Sequence, residues 1–160
     1  MPRLNFYAAG RDVAKAMTEL QAHVSNGGLD RVLTDLIYLL VSEINGCAYC
    51  IDMHKKDLRA LGESEIRLDL IRVWREAPGF YSSREQAAFA WAESVTLVSK
   101  THVPDEVFDR ARKQFSDEEL AKLTLAVVAI NAWNRFAIAF RSEPGQYKSN
   151  LKAEKSGSAV

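Results

Sequence analysis

The chain has 160 residues, which suits one domain, and a domain of this size buries enough surface to hold a core without disulfide or metal staples. Apolar residues make up 48% and charged residues 26%, the balance of a soluble globular protein rather than a disordered one. Lys plus Arg and Asp plus Glu both number 21, and that zero net charge speaks against nucleic acid as the main ligand, which calls for a clustered basic excess.

The apolar pattern predicts helices throughout, because strict alternation is scarce and the four prolines fall between apolar-periodic segments. Met1-Pro-Arg-Leu-Asn-Phe-Tyr-Ala is too polar for a secretory signal, so a cytoplasmic setting with reduced thiols is expected. A first helix runs from about Arg11 to Val24 and stops at Ser25-Asn-Gly-Gly28. A second, from about Asp30 to Ile44, places Val32, Leu33, Leu36, Ile37, Leu40 and Val41 on one core-facing stripe. Asn45-Gly46 offers a bend, and helix resumes through Cys47 to Leu61. Ser64 is placed to cap a helix that ends before Pro78, and Ser83-Arg-Glu-Gln86 reads as a capping box opening a helix to about Ser99. A short helix from Pro104 to Gln114 follows, with proline at the first position. Ser116-Asp-Glu-Glu119 is a second capping box and starts the longest helix.

Leu123 to Phe140 is mostly apolar, but Asn131, Asn134 and Arg135 in its second half favour a central core helix over a membrane span. Residues 141–160 read as a polar tail on a single domain of residues 1–140, frayed towards its end. Val41-Ser-Glu-Ile-Asn45 and Val127-Val-Ala-Ile-Asn131 echo one another at an offset of 86.

The chemistry concentrates in Glu43-Ile-Asn-Gly-Cys47-Ala-Tyr-Cys50-Ile-Asp-Met-His54. On a helix at 100° per residue, Glu43, Cys47, Cys50 and His54 project within an arc of about 60°. Cys50 and His54 are one turn apart, within reach for proton exchange directly or through one water. Cys47 and Cys50 are near enough to form a disulfide once one sulfur is oxidised. A straight helix would still put Glu43 and His54 roughly 16 Å apart along the axis. A bend at Asn45-Gly46 relieves this: it folds the two helices side by side and brings Glu43 or Asp35 towards Cys50 and His54. It also leaves Cys47 at a fresh helix N-terminus, where the dipole favours thiolate. Cys47, Cys50 and His54 together could hold zinc, but zinc normally wants four ligands and the chain offers neither a second CxxC nor a further nearby histidine, so no metal and no cofactor are expected. His23 and His102 read as surface or structural residues, Tyr49 and Met53 as packing, and Asp52 with Lys55-Lys56-Asp57 as a solvated face.

Ser42 to His54 resembles the CxxC-x3-His signature of the AhpD-like alkylhydroperoxidase branch of the carboxymuconolactone decarboxylase superfamily, supported by Ile130-Asn-Ala-Trp-Asn-Arg135. The likeness covers about residues 30–140. It implies an all-α, AhpD-like orthogonal bundle built on a helical hairpin, assembled as a homo-oligomer (trimer or hexamer). By the same resemblance Cys50 attacks an organic hydroperoxide or hydrogen peroxide, Cys47 resolves the sulfenic acid as a disulfide, and His54 joins a proton relay with a carboxylate. A dithiol, protein or small molecule, then restores the reduced form. Two positions depart from the best-known members: the relay glutamate is replaced by Asp35, with Glu43 as the other candidate, and Tyr49 stands where those members have histidine. Decarboxylase members lack the cysteine pair, so lactone decarboxylation is not expected.

The leading expectation is therefore an antioxidant thiol peroxidase with Cys50, Cys47, His54 and Glu43 at its site, acting on neither nucleic acid nor membranes. A thiol–disulfide oxidoreductase or redox sensor with little peroxidase activity is the alternative. A helical scaffold or metal-binding module with a structural cysteine pair is the non-enzymatic one.

Overall fold

The computed structural model describes residues 1–152, and among these it contains nine α-helices and no strand. They are α1 (Phe6–Ala9), α2 (Arg11–Ser25), α3 (Arg31–Asn45), α4 (Ala48–Ala60), α5 (Glu65–Leu70), α6 (Ser83–Thr96), α7 (Val98–Thr101), α8 (Asp105–Arg112) and α9 (Asp117–Phe140). Two 3₁₀ turns, Ile71–Glu76 and Pro78–Phe80, bridge α5 to α6.

The centre is α3. Asp30 caps it, accepting from the Leu33 N–H at 2.7 Å, and every residue from Leu33 to Ser42 is buried. Helix α4 folds back along α3 and the two form the fold's hairpin. The hinge is Gly46 at φ 70°, a left-handed conformation that costs glycine nothing. With Gly46 there, the Gly46 and Cys47 N–H groups close the helix on the carbonyls of Glu43 and Ser42. Across the hairpin lies α9, capped by Ser116 and Glu119 as their spacing predicts. By length and composition α9 could cross a membrane, yet it packs on α2, α3 and α6, burying Leu120, Leu123, Val127 and Ile130. An asparagine layer joins α9 to the hinge: Asn45 Nδ2 donates to Asn131 Oδ1 and Asn134 Oδ1, and Asn134 Nδ2 donates to Ser42 Oγ.

Both ends of the described chain fold onto this frame. The Arg3 N–H donates to the Phe140 carbonyl, and Phe6 packs among Trp133, Phe136 and Phe140. After α9 the chain turns along α4, where Lys56 Nζ donates to the carbonyls of Gly145 and Tyr147, and the Gly145 N–H donates to Asp52.

Several local expectations need correction. The capping box of α6 is Ser82 with Glu85, not Ser83 with Gln86. The carboxylate accepts the Ser82 N–H at 2.7 Å and pairs with Arg67, while the Gln86 amide goes to the carbonyls of Pro78 and Tyr81. The Ser64 hydroxyl makes no cap bond, and the helix after it gives way at Ile71 to a 3₁₀ segment kinked at Val73 (φ −115°, ψ 28°). Helix α6 stops at Thr96 rather than Ser99, and Pro104 precedes α8 as its N-cap instead of opening it. The short α1 had no sequence signal. Asp57 is buried, 5% exposed, so the Lys55-Lys56-Asp57 run is not a solvated face; Lys55 bridges Glu43 and Asp69, and Asp57 accepts from the Tyr147 hydroxyl. The expected fraying of the last residues lies outside the described part of the chain.

Candidate functional site

Cys47 and Cys50 are joined as a disulfide, with Cα atoms 5.3 Å apart. Cys47 is the N-cap of α4, and its Sγ accepts from the Cys50 N–H at 3.4 Å. The sulfur thus sits at unpaired backbone donors and the positive end of the helix dipole, an environment that favours thiolate in the reduced state. Cys50 and His54 follow on the inner face of α4, one turn apart, and both are buried.

These two side chains form part of the wall of a cavity of about 550 Å³. Cys47 does not line it. Neither ring nitrogen of His54 has a hydrogen-bond partner among the described residues. Burial pushes its pKa down to about 3, with the Arg31 charge adding to the effect, so the imidazole is neutral. The carboxylate facing it is Asp35, with Oδ1 4.0 Å from His54 Nδ1. That separation is too long for a hydrogen bond, and with a neutral ring it is a contact rather than an ion pair. Asp35 is engaged elsewhere, accepting from Arg31 Nε at 2.6 Å. Burial still outweighs this partner and raises Asp35 to about 6.

The other predicted carboxylate, Glu43, lies outside the cavity wall. It is turned to Lys55, 3.7 Å away, on the outer side of the hairpin, although its helical phase matches the cysteines. The phase argument assumed one continuous helix; once Gly46 turns the chain, Glu43 on α3 no longer shares a face with residues of α4. The turn back brings Asp35 to the His54 ring instead. His23 and His102 are exposed.

The structure adds groups that spacing alone did not place. The Tyr38 ring lies 5.2 Å from the His54 ring, tilted 58° to it, and burial raises its hydroxyl to about 12. Gln21 links it outward: Gln21 Nε2 donates to the Tyr38 hydroxyl and Trp133 Nε1 donates to Gln21 Oε1. Asp57, three residues after His54, also borders the cavity and is held by Tyr147 at 2.9 and 3.1 Å. The Arg31–Asp35 pair was readable as an i, i+4 ion pair on a helix. The contacts of Trp133 and Tyr147, which cross 112 and 90 residues, had no local signal.

The sequence model of the carboxymuconolactone decarboxylase family matches residues 11–94. An uncharacterized protein of Bacillus subtilis, YdfG, is 37% identical over 137 residues, 86% of this chain and 92% of its own. A crystal structure from Agrobacterium tumefaciens, of a protein of unknown function for which AhpD-type antioxidant defence has been suggested, superposes with a TM-score of 0.89 at 42% identity, covering 92% of this chain and all of the other. The alkyl hydroperoxide reductase AhpD of Rhodopseudomonas palustris is 43% identical over 58 residues, so the match spans about a third of that protein (32%) and 36% of this chain. From its hairpin site and these relationships, the chain belongs to the carboxymuconolactone decarboxylase family, with an AhpD-like fold.

Proposed function

We propose that the protein is an antioxidant thiol peroxidase of the AhpD type. The observation that carries this reading is the placement of Cys50 and His54 side by side in the wall of one cavity, with Cys47 covalently paired to Cys50. In the reduced protein the Cys50 thiol gives its proton towards His54, whose neutral ring has both nitrogens without hydrogen-bond partners among the described residues. The thiolate attacks the peroxide oxygen distal to carbon; the O–O bond breaks, Cys50 becomes a sulfenic acid, and the alkoxide leaves as the alcohol with the proton returned from the imidazolium. Cys47 then attacks the Cys50 sulfur and water departs, giving the disulfide. A dithiol reduces that disulfide by exchange and is itself oxidised. One hydroperoxide and one dithiol thus become one alcohol, one water and one disulfide. In this reading Asp35, 4.0 Å from His54 Nδ1, is the relay carboxylate, closing on the ring when it takes the proton, and Glu43, paired with Lys55, is not.

The position of Cys47 favours a second reading, a thiol–disulfide oxidoreductase or redox sensor. A helix N-terminus under Cys47 suits attack on a disulfide. The two are separated by measuring hydroperoxide consumption and reduction of a small disulfide at equal protein concentration. The peroxidase reading expects hydroperoxide turnover with a dithiol in the wild type, none in Cys50→Ser, and a single turnover in Cys47→Ser. Multiple turnovers in Cys50→Ser, or disulfide reduction without peroxide consumption, would overturn it.

A further inference from the structure

The cavity wall mixes two kinds of surface: Cys50, His54 and Asp35 bring the reactive and titratable groups, and Leu4, Tyr7, Val24, Leu29 and Trp133 bring apolar and aromatic ones. Its volume of about 550 Å³ falls in the range of small-molecule sites, roughly 300–1,000 Å³. Hydrogen peroxide, little larger than a water molecule with its share of about 30 Å³, would leave most of that space unused.

The arm before α2 supplies the aromatic surface in an uneven way. Phe6, 8% exposed, does the structural packing against α9. Tyr7 does not: it remains 56% exposed while lining the cavity, with its ring stacked 4.2 Å from Phe6 and inclined only 28° to Trp133 at 6.4 Å. Tyr49, one of the two residues between the cysteines, lines the same cavity; partial burial raises the Tyr7 hydroxyl, and the proximity of Tyr49 adds to it. An aromatic ring that rests on Phe6 and Trp133 yet keeps more than half of its surface open in the cavity of a reactive cysteine is the arrangement of a ligand contact. The arm also lies outside the family-matched residues 11–94.

We infer that this N-terminal arm is the specificity element of the site, and that Tyr7 with Trp133 selects hydroperoxides whose carbon bears an aryl group. The inference rests on the peroxidase reading for the reaction but not for binding. The reacting O–O bond lies at Cys50 while the ring of the substrate stacks at the arm. A ring gains offset or edge contacts with Tyr7 and Trp133 beyond its buried area, which an alkyl group of the same size does not.

The test uses cumene hydroperoxide and tert-butyl hydroperoxide, which share a tertiary reacting carbon and differ by one phenyl for methyl exchange. The wild type is expected to favour cumene hydroperoxide by about tenfold or more in kcat/KM, and Tyr7→Ala to lose about tenfold of that ratio, with Tyr7→Phe retaining it. Binding of the product alcohol 2-phenyl-2-propanol to the disulfide form, followed by tryptophan fluorescence and calorimetry, reads the cavity without turnover. Saturable binding weakened in Tyr7→Ala supports the inference, even if neither hydroperoxide is consumed and the peroxidase reading falls. Peroxide turnover with a ratio near one, unchanged in Tyr7→Ala, and no binding of the alcohol would overturn it while leaving the peroxidase reading intact.

Discussion

Asp35 Oδ1 stands 4.0 Å from His54 Nδ1, and the same carboxylate takes its short hydrogen bond, 2.6 Å, from Arg31 instead. The two buried groups therefore titrate in opposite senses. Asp35 is raised to about 6, so the folded state holds its proton where the unfolded chain, at about 3.9, has released it. Its contribution is fully present below about pH 4 and lost as pH rises through 6. His54 is lowered to about 3, so its contribution is present above about pH 6.5 and lost as pH falls through 3.

Between about pH 4 and pH 6 these slopes oppose each other, each of about 1.4 kcal/mol per pH unit, and they cancel. Asp35→Asn removes one of them. Urea unfolding at pH 4 and pH 7 is expected to show the variant gaining on the order of 3 kcal/mol relative to wild type as pH rises. A pH-independent difference between the two proteins would contradict the assignment of Asp35 as the buried carboxylate that loses its proton in this range.

Tyr147 is expected to anchor the chain after α9 onto α4. Its hydroxyl is the hydrogen-bond donor to Asp57, which is 5% exposed and cannot turn to water without moving. Tyr147→Phe leaves that carboxylate short of a donor and should cost about 1–3 kcal/mol in thermal or urea unfolding. Proteolysis within residues 141–152 should accelerate in the same variant. Asp57→Asn combined with Tyr147→Phe should cost less than the two single changes summed, because both break one interaction.

The asparagine layer gives a third test. Asn134 is fully buried and joins Asn45 on one side to Ser42 on the other. Asn134→Ala leaves the buried Ser42 hydroxyl without its donor and Asn45 with Asn131 alone at the hinge that positions Cys47, and unfolding should become easier by about 1–3 kcal/mol. A loss no larger than that of an exposed α9 substitution such as Arg135→Ala would show the layer to be without structural weight.

The hairpin was legible because its causes are local. Leu36, Ile37 and Leu40 mark the buried stripe of α3, Gly46 marks the left-handed turn, and the following Cys47 becomes the cap of α4. The echo at an offset of 86 acquires a physical meaning here, since its two final asparagines, Asn45 and Asn131, are hydrogen-bonded to each other at 3.0 Å. The site's carboxylate was legible only as a pair of candidates. Glu43 and Asp35 sit two turns apart on α3, and which one meets His54 depends on how α4 folds back, a tertiary property. Asp57 read as surface because Lys55 and Lys56 precede it; Tyr147, which covers it, is 90 residues away.

In the proposed cycle Cys50 meets the peroxide and Cys47 completes the exchange. It is tested most directly by titrating the fully reduced protein with one equivalent of a hydroperoxide, counting remaining thiols, and trapping sulfenic acid with dimedone in Cys47→Ser. The account predicts loss of both thiols per equivalent in the wild type and a single dimedone adduct on Cys50 in the variant. Two thiols surviving the equivalent, or oxidation proceeding as fast in Cys50→Ser, would contradict it.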